Sequence, residues 1–366
     1  MMAALGMRVD VGMGMGGTVG LGVRGGPCRV VHPGRRCVVR RGRGGDVCVH
    51  VNAVAGEGGA SARVAALDEV SSSGSDGAGR QKVKLTGLTA RDFRHPLDES
   101  NTRLLQSLPG MDMALKALVG STAEEAMYME NVGTSVLVSE TQLPALHALL
   151  VEAAEILELG ILPELYLRQS AAPNAYTMAV QGKKPFVVLT TGLVELLEPE
   201  EVQCVIAHEL GHLKCEHGLW LTAANLIVSG LTRGNGPLGA LLAPSLEGQL
   251  LRWVRAAELT CDRAALLVAQ DSGLTVVSTL MKLAGGSKGG IKMFGEMNAE
   301  AFLGQARRYK AASEASALGW FLFNAQTQQL SHPLPVLRAQ EIDAWAHTDP
   351  YKNLLAKGTR RRPPPV

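Results

Sequence analysis

The chain has 366 residues, 46% of them hydrophobic, which is enough for one large domain or two ordinary ones with a sizeable core. A formal net charge of +2 gives no electrostatic reason to expect nucleic acid or a strongly acidic partner. Six cysteines without CxxC spacing do not make a disulfide framework, and Cys204, Cys215 and Cys261, on helical patterns, read as buried or free thiols.

Charge is unevenly spread. Residues 1–50 hold eight arginines, no lysine and two acids, Asp10 and Asp46, and have no continuous apolar run of the secretory kind. That composition reads as an organellar transit peptide over residues 1–53, with Val51-Asn52-Ala53 as a weakly specified processing site. Residues 54–82, rich in Gly, Ala and Ser, read as a flexible linker. A globular pattern runs over 83–350. The tail 351–366, ending in three arginines, three prolines and a valine, reads as disordered.

Within the globular part His95-Pro96 reads as a turn. Apolar residues at three-to-four spacing predict helices over 101–118 and 142–159. A strand over Tyr176, Thr177, Met178, Ala179 and Val180, a polar turn at 181–184 and a second strand over 185–190 are the clear β signal. The fold class expected is mainly α with a small β-sheet.

The segment Pro199–Lys214 carries consistent helix signals. Pro199 suits the first position, Glu200 and Glu201 complement the positive end, and Lys214 and His217 the negative end, with Gly218 as the stop. Val202, Val205, Ile206, Leu210 and Leu213 form its apolar stripe. His208 and His212, at i and i+4, project from one face about a turn apart, the spacing at which two imidazoles bind one Zn²⁺. Glu209, one residue round, is placed to take a proton from a water activated by the metal. His217 reads as helix-end chemistry off the ligand face.

Residues 218–246 contain a single charge, Arg233, but no uninterrupted apolar stretch long enough to span a bilayer. Two readings stay open for this stretch: a buried helix plus loop, or a hairpin that touches a lipid surface or lines a substrate groove. A helix over 247–270 follows, with Glu258 and Asp262 at i and i+4. Glu258 can complete a three-ligand zinc site, and Asp262 can accept the free ring N–H of a ligand histidine. The alternative is an ordinary surface ion pair with Arg255 or Arg263. Gly285–Gly290 lacks the order of a phosphate-binding loop and reads as a flexible loop, so no nucleotide is expected.

HELGH at 208–212, ExxxD at 258–262 and SHPLPVLR at 331–338 resemble, in order and spacing, the gluzincin peptidases of family M48, which includes HtpX, the CAAX prenyl proteases and the Oma-type proteases. Asn174-Ala175 and VLTTGLVELL at 188–197 are similar to that family too. The resemblance covers roughly 170–345. It implies a zincin fold over 83–350, one zinc held by His208, His212 and Glu258, Glu209 as base, and Asp262 behind a ligand. It further implies that His332 faces the site as a candidate for stabilising an oxyanion, and that Arg338 organises it. With the basic leader, the chain looks most like the soluble plant and algal plastid members, including those of plastoglobules; a mitochondrial address is the alternative. The function expected is ATP-independent endoproteolysis of organellar proteins, the rival being a non-proteolytic zinc-binding chaperone or scaffold. Peptide is expected to add along 176–180 as an extra strand.

Overall fold

The computed structural model describes residues 82–111, 122–179, 183–234, 236–286, 295–328 and 330–360. The transit peptide, nearly all of the linker, Val180, the loop at 287–290 and the last six residues lie outside that set.

A four-stranded mixed sheet is built from β2 (Val136–Val138), β3 (Glu164–Arg168), β4 (Ala175–Met178) and β5 (Phe186–Thr190) in the order β2-β3-β5-β4. β3 and β5 are parallel, and β2 and β4 flank them antiparallel, with Tyr176 opposite Val188. All five residues of β5 are buried, as expected of a central strand covered on both faces. The second predicted strand is therefore present, and the first is shorter than predicted: Ala179 follows β4 without belonging to it. β2 and β3 were not expected. Both are short and follow closely on helical stretches, and periodicity does not separate them.

Helices make up most of the rest: α1 (Pro96–Gln106), α2 (Thr122–Thr134), α3 (Pro144–Ile156), α4 (Thr191–Leu196), α5 (Pro199–Lys214), α6 (His217–Gly234), α7 (Gly236–Ala269), α8 (Leu274–Gly285), α9 (Ala299–Glu314), α10 (Ala317–Gln328), α11 (Pro335–Ala346) and α12 (Asp349–Lys357). α5 runs over the predicted residues, opened by Pro199 and a capping box between Glu198 and Glu201. Val202, Ile206 and Leu210 sink into one core with Leu150, Ile156, Leu189, Leu266 and Leu267, while Leu213 is only partly buried. α5 packs most extensively on α7. A smaller cluster of Leu105, Trp220, Leu221 and Trp253 closes the junction of α1, α6 and α7.

Several expectations are corrected. His95-Pro96 is the start of α1, with the His95 ring accepting from Leu97 N–H and Pro96 at the first position. Gly218 does not stop α5; the break is at Glu216, whose φ of 55° is left-handed, and Gly218 sits in the first turn of α6. Residues 236–246 are helical, not a loop, and α7 continues through Pro244 to Ala269. Gly236, at φ 51°, begins α7 after the chain turns from α6. The stretch from Tyr351 is not wholly disordered. α12 buries Tyr351, and Thr359–Arg360 forms β6, antiparallel to β1 (Val83–Lys84).

Candidate metal centre

The helical spacing sets the first pair of donors. On α5 the His208 and His212 rings lie with centroids 5.2 Å apart. α7 crosses beside them and presents Glu258, 5% exposed, so that Oε2 stands 3.4 Å from His208 Nε2 and Oε1 3.5 Å from His212 Nε2. Donors arranged tetrahedrally about an ion at roughly 2.0–2.1 Å are about 3.4 Å from one another. The two gaps match that spacing. The carboxylate and the two Nε2 atoms thus fit one divalent ion.

Cys261 also offers a sulfur close to the two histidines. It is the poorer donor. Burial pushes its thiol well above the ordinary range, and Sγ lies 3.5 Å from His217 Nδ1, on the side of His212 turned away from Glu258. Burial alone would also raise Glu258, but the hydrogen bonds from His208 and His332 outweigh it and keep this carboxyl well below its usual range. Glu258 therefore offers a carboxylate oxygen where Cys261 offers a thiol held above its usual range. The three cysteines in the described residues are free and buried.

Each imidazole turns its other nitrogen away from Glu258. His208 Nδ1 is 3.1 Å from Asp262 Oδ1. Arg338, from the first turn of α11, holds that carboxylate with two bonds, Nε to Oδ2 at 2.8 Å and an Nη to Oδ1 at 2.6 Å. Burial opposes the charge on Asp262, yet Arg338 holds its pKa down at about 2. Burial likewise opposes charge on His208, and the bonds to Asp262 and Glu258 prevail, raising its pKa to about 9. Arg338, with 15% of its side chain exposed, is a clamp on Asp262 rather than a surface cation, and Glu258 and Asp262 bond inward, to His332 and His208. His212 Nδ1 meets the fully buried His217 at 3.0 Å, so His217 is not simply a helix-end cation.

The remaining residues line the same cavity of about 300 Å³, which includes Glu209, His332, Asn174 and Ala175. Glu209 is 8% exposed, and burial pushes its carboxyl up. His332 is half-exposed, with Nδ1 2.8 Å from Glu258 Oε2. β4, at the sheet edge, packs against α5 and runs out of this cavity at Ala175. The structure thus gathers the predicted His208, Glu209, His212, Glu258, Asp262, His332 and Arg338 into one place. Of the predicted edge, Tyr176, Thr177 and Met178 are in β4. Asp98, Trp253 and Thr260, which close round His217, were not anticipated. Nothing local marks Asp98, more than a hundred residues upstream; the only hint was His217 five residues past HELGH.

A helical fold with a small sheet, two histidines from one helix and a glutamate from another round a cavity: these define a metallopeptidase of the zincin kind. Residues 140–346 match Peptidase family M48. A chloroplastic, plastoglobule-localized metallopeptidase 48 of Arabidopsis thaliana is 58% identical over 274 residues, 75% of this chain and 78% of that one. Protease HtpX homolog 2 of Methanosarcina mazei is 30% identical over 175 residues, 41% of this chain and 58% of that one. The crystal structure of S. mikatae Ste24p is similar over 68% of this chain and 62% of its own, at 15% identity and a TM-score of 0.39, too low to bear on the site. The chain belongs to peptidase family M48. The Arabidopsis relative's name agrees with the plastid address drawn from the leader, and so favours it over the mitochondrial one.

Proposed function

We propose that the chain is a zinc-dependent, ATP-independent endopeptidase acting on chloroplast proteins, with His208, His212 and Glu258 as the ligands of one zinc. The observation that carries this reading is the equal spacing of the Glu258 oxygens from the two Nε2 atoms, 3.4 and 3.5 Å. Zinc in such a site supplies Lewis acidity, which acidifies water and polarises a carbonyl. Glu209, in the same cavity and raised by burial, accepts the proton of the attacking water and passes it to the leaving amine. Asp262, clamped by Arg338, fixes His208 with its lone pair on Nε2. His332 leans on Glu258 from the open side of the cavity, where its ring can donate to the oxygen that gains charge. A substrate strand adds to the free edge of β4 and is thereby led to the donors. An intact Glu209 in the cavity favours the enzyme over a non-proteolytic scaffold.

Casein cleavage by the purified chain, with and without chelator, tests the reading. In Glu209→Gln the zinc content should be unchanged while kcat falls at least 10²–10⁴-fold. Undiminished cleavage by that variant would remove Glu209 from its role.

A second role follows from the α6–α7 hairpin. Trp220, Leu221, Ala223 and Ala224 of α6 are buried, but Leu226, Leu231, Leu238 and Leu241 are exposed, Leu241 by 76%. Among the described residues no helix is long and apolar enough to cross a membrane. Exposed leucines flanking a single arginine suit shallow insertion into a lipid surface, and the relative named for plastoglobules points to the same contact.

A further inference from the structure

The two ligand imidazoles are anchored differently. His208 gives its Nδ1 directly to a carboxylate, whereas His212 Nδ1 faces a second ring nitrogen, His217 Nδ1, at 3.0 Å. Two imidazole nitrogens at that distance share one proton, so one donates and the other accepts. The far side of His217 is held as tightly: Nε2 is 3.0 Å from Asp98 Oδ2. Asp98 also accepts from Trp253 Nε1 at 2.8 Å and from the Thr260 hydroxyl at 2.8 Å, and Arg94 Nε stands 3.8 Å away. His217 and Asp98 are both 0% exposed, so no solvent can substitute for a missing partner.

The carboxylate of Asp98 only accepts, so His217 donates through Nε2. A neutral His217 then has its lone pair on Nδ1, where it accepts the Nδ1–H of His212. That leaves the His212 lone pair on Nε2, the nitrogen facing Glu258. The opposite polarity, with His217 donating through Nδ1, places the proton of a neutral His212 on Nε2 and closes it to a metal. Only one direction of the hydrogen-bond chain makes His212 a ligand.

We infer that Asp98 and His217 form a relay that positions His212 and sets its tautomer, so that α1 is a working part of the metal centre. This rests on the reading of His208, His212 and Glu258 as metal ligands. The relay is the longer counterpart of the Arg338–Asp262 clamp on His208. Residues that orient a metal-binding histidine in this way commonly change affinity 10–100-fold when removed. Thr260 also accepts from His95 N–H at 3.0 Å, which ties the start of α1 to the same point on α7.

Zinc affinity of the full chain, measured by competition with a chromogenic chelator, tests the relay, with thermal unfolding of chelator-treated protein as the control. His217→Gln keeps an acceptor for His212 and a donor for Asp98, while His217→Phe keeps a ring of similar bulk and neither. The Phe variant should bind zinc about 10–100-fold more weakly, and the Gln variant should recover most of that loss. Equal affinity in all three proteins would overturn the relay. So would an affinity loss that simply follows the melting temperature and is shared by Gln and Phe. If the Phe variant does not fold, the Gln variant still decides: folded protein with affinity as low as 100-fold below the unaltered chain refutes it. Failure of the unaltered chain to bind one zinc, or full binding by Glu258→Ala, would instead sink the ligand assignment itself.

Discussion

Gly211→Ala puts the joint between fold and site to the test. Gly211 lies between His208 and His212 on α5 and is buried where α5 meets α7. A Cβ there would stand 2.9 Å from Ala264 Cβ, 3.1 Å from Cys261 Cα and 3.2 Å from Cys261 Sγ. The first two atoms are fixed to the α7 backbone and cannot rotate aside, so α7 itself must retreat. Alanine gains about 1 kcal/mol over glycine in a helix. Overpacking a well-filled interface costs about 1–3 kcal/mol, and immovable neighbours put this site at the upper end. The net loss is about 2 kcal/mol, a fall in Tm of roughly 4–8 °C for a domain of this size. The retreat of α7 also widens the gaps of 3.4 and 3.5 Å between Glu258 and the two rings, so zinc should bind more weakly. Differential scanning calorimetry of chelator-treated protein and a zinc titration measure the two effects separately. A raised Tm with unaltered zinc affinity would mean that helix propensity governs the position and that the α5–α7 approach does not set the donor spacing.

Arg338→Met should leave the Asp262 carboxylate buried without its countercharge, at a cost of about 3–5 kcal/mol by chemical denaturation, together with weaker zinc binding; a loss under 1 kcal/mol would show that the clamp is dispensable. Acid stability should depend on Asp98. Burial would raise its carboxyl, but the hydrogen bonds from His217, Trp253 and Thr260 hold it far below the usual range. For a depressed carboxyl the stabilisation is complete above the unfolded value of about 3.9 and is lost as pH falls below it. The acid limb of a pH–stability curve should therefore be shallower in Asp98→Asn, and an unchanged slope would assign that limb to other carboxylates. Replacing Leu238 and Leu241, exposed by 59% and 76%, with aspartate should release the chain from galactolipid-coated oil droplets in flotation without slowing casein cleavage. Unchanged flotation would discard the hairpin as the contact.

What could be read from the sequence depended on how far each signal extends along the chain. The helix 199–214 was legible to the residue because its capping, charge and apolar period are all local and agree. Glu258 could be singled out because it and Asp262 repeat the four-residue spacing, and the structure brings its carboxylate to the two rings. Strands β2 and β3 were not, since both are short and follow closely on helical stretches, and only pairing in the sheet makes them strands. Of the readings left open for 218–246, the helix-plus-loop one gave way to tertiary override over 236–246: α7 keeps a proline and several glycines because it is packed on α5 and α6. Asp98 was invisible for a different reason. Its partners His217, Trp253 and Thr260 lie on two other helices, and no pattern within α1 records them.

The arrangement implies an order of events. Two of the three proposed donors ride on α5 and the third on α7, and both helices are locked by the core that holds Ile206, Leu210, Leu266 and Leu267. That packing is hydrophobic and needs no ion, so the donors are brought together by folding. Yet Glu258, Asp262 and Asp98 are carboxylates buried within a few ångströms of the same rings, and such charges are costly without partners. Arg338 answers Asp262, and Arg94, together with the hydrogen bonds from His217, Trp253 and Thr260, answers Asp98. Glu258 has only imidazoles, two of which must be neutral to act as ligands. A divalent ion is the partner that satisfies all three donors at once. The domain should therefore fold before it takes up metal and be stabilised on doing so, because the site is completed by charge rather than by shape.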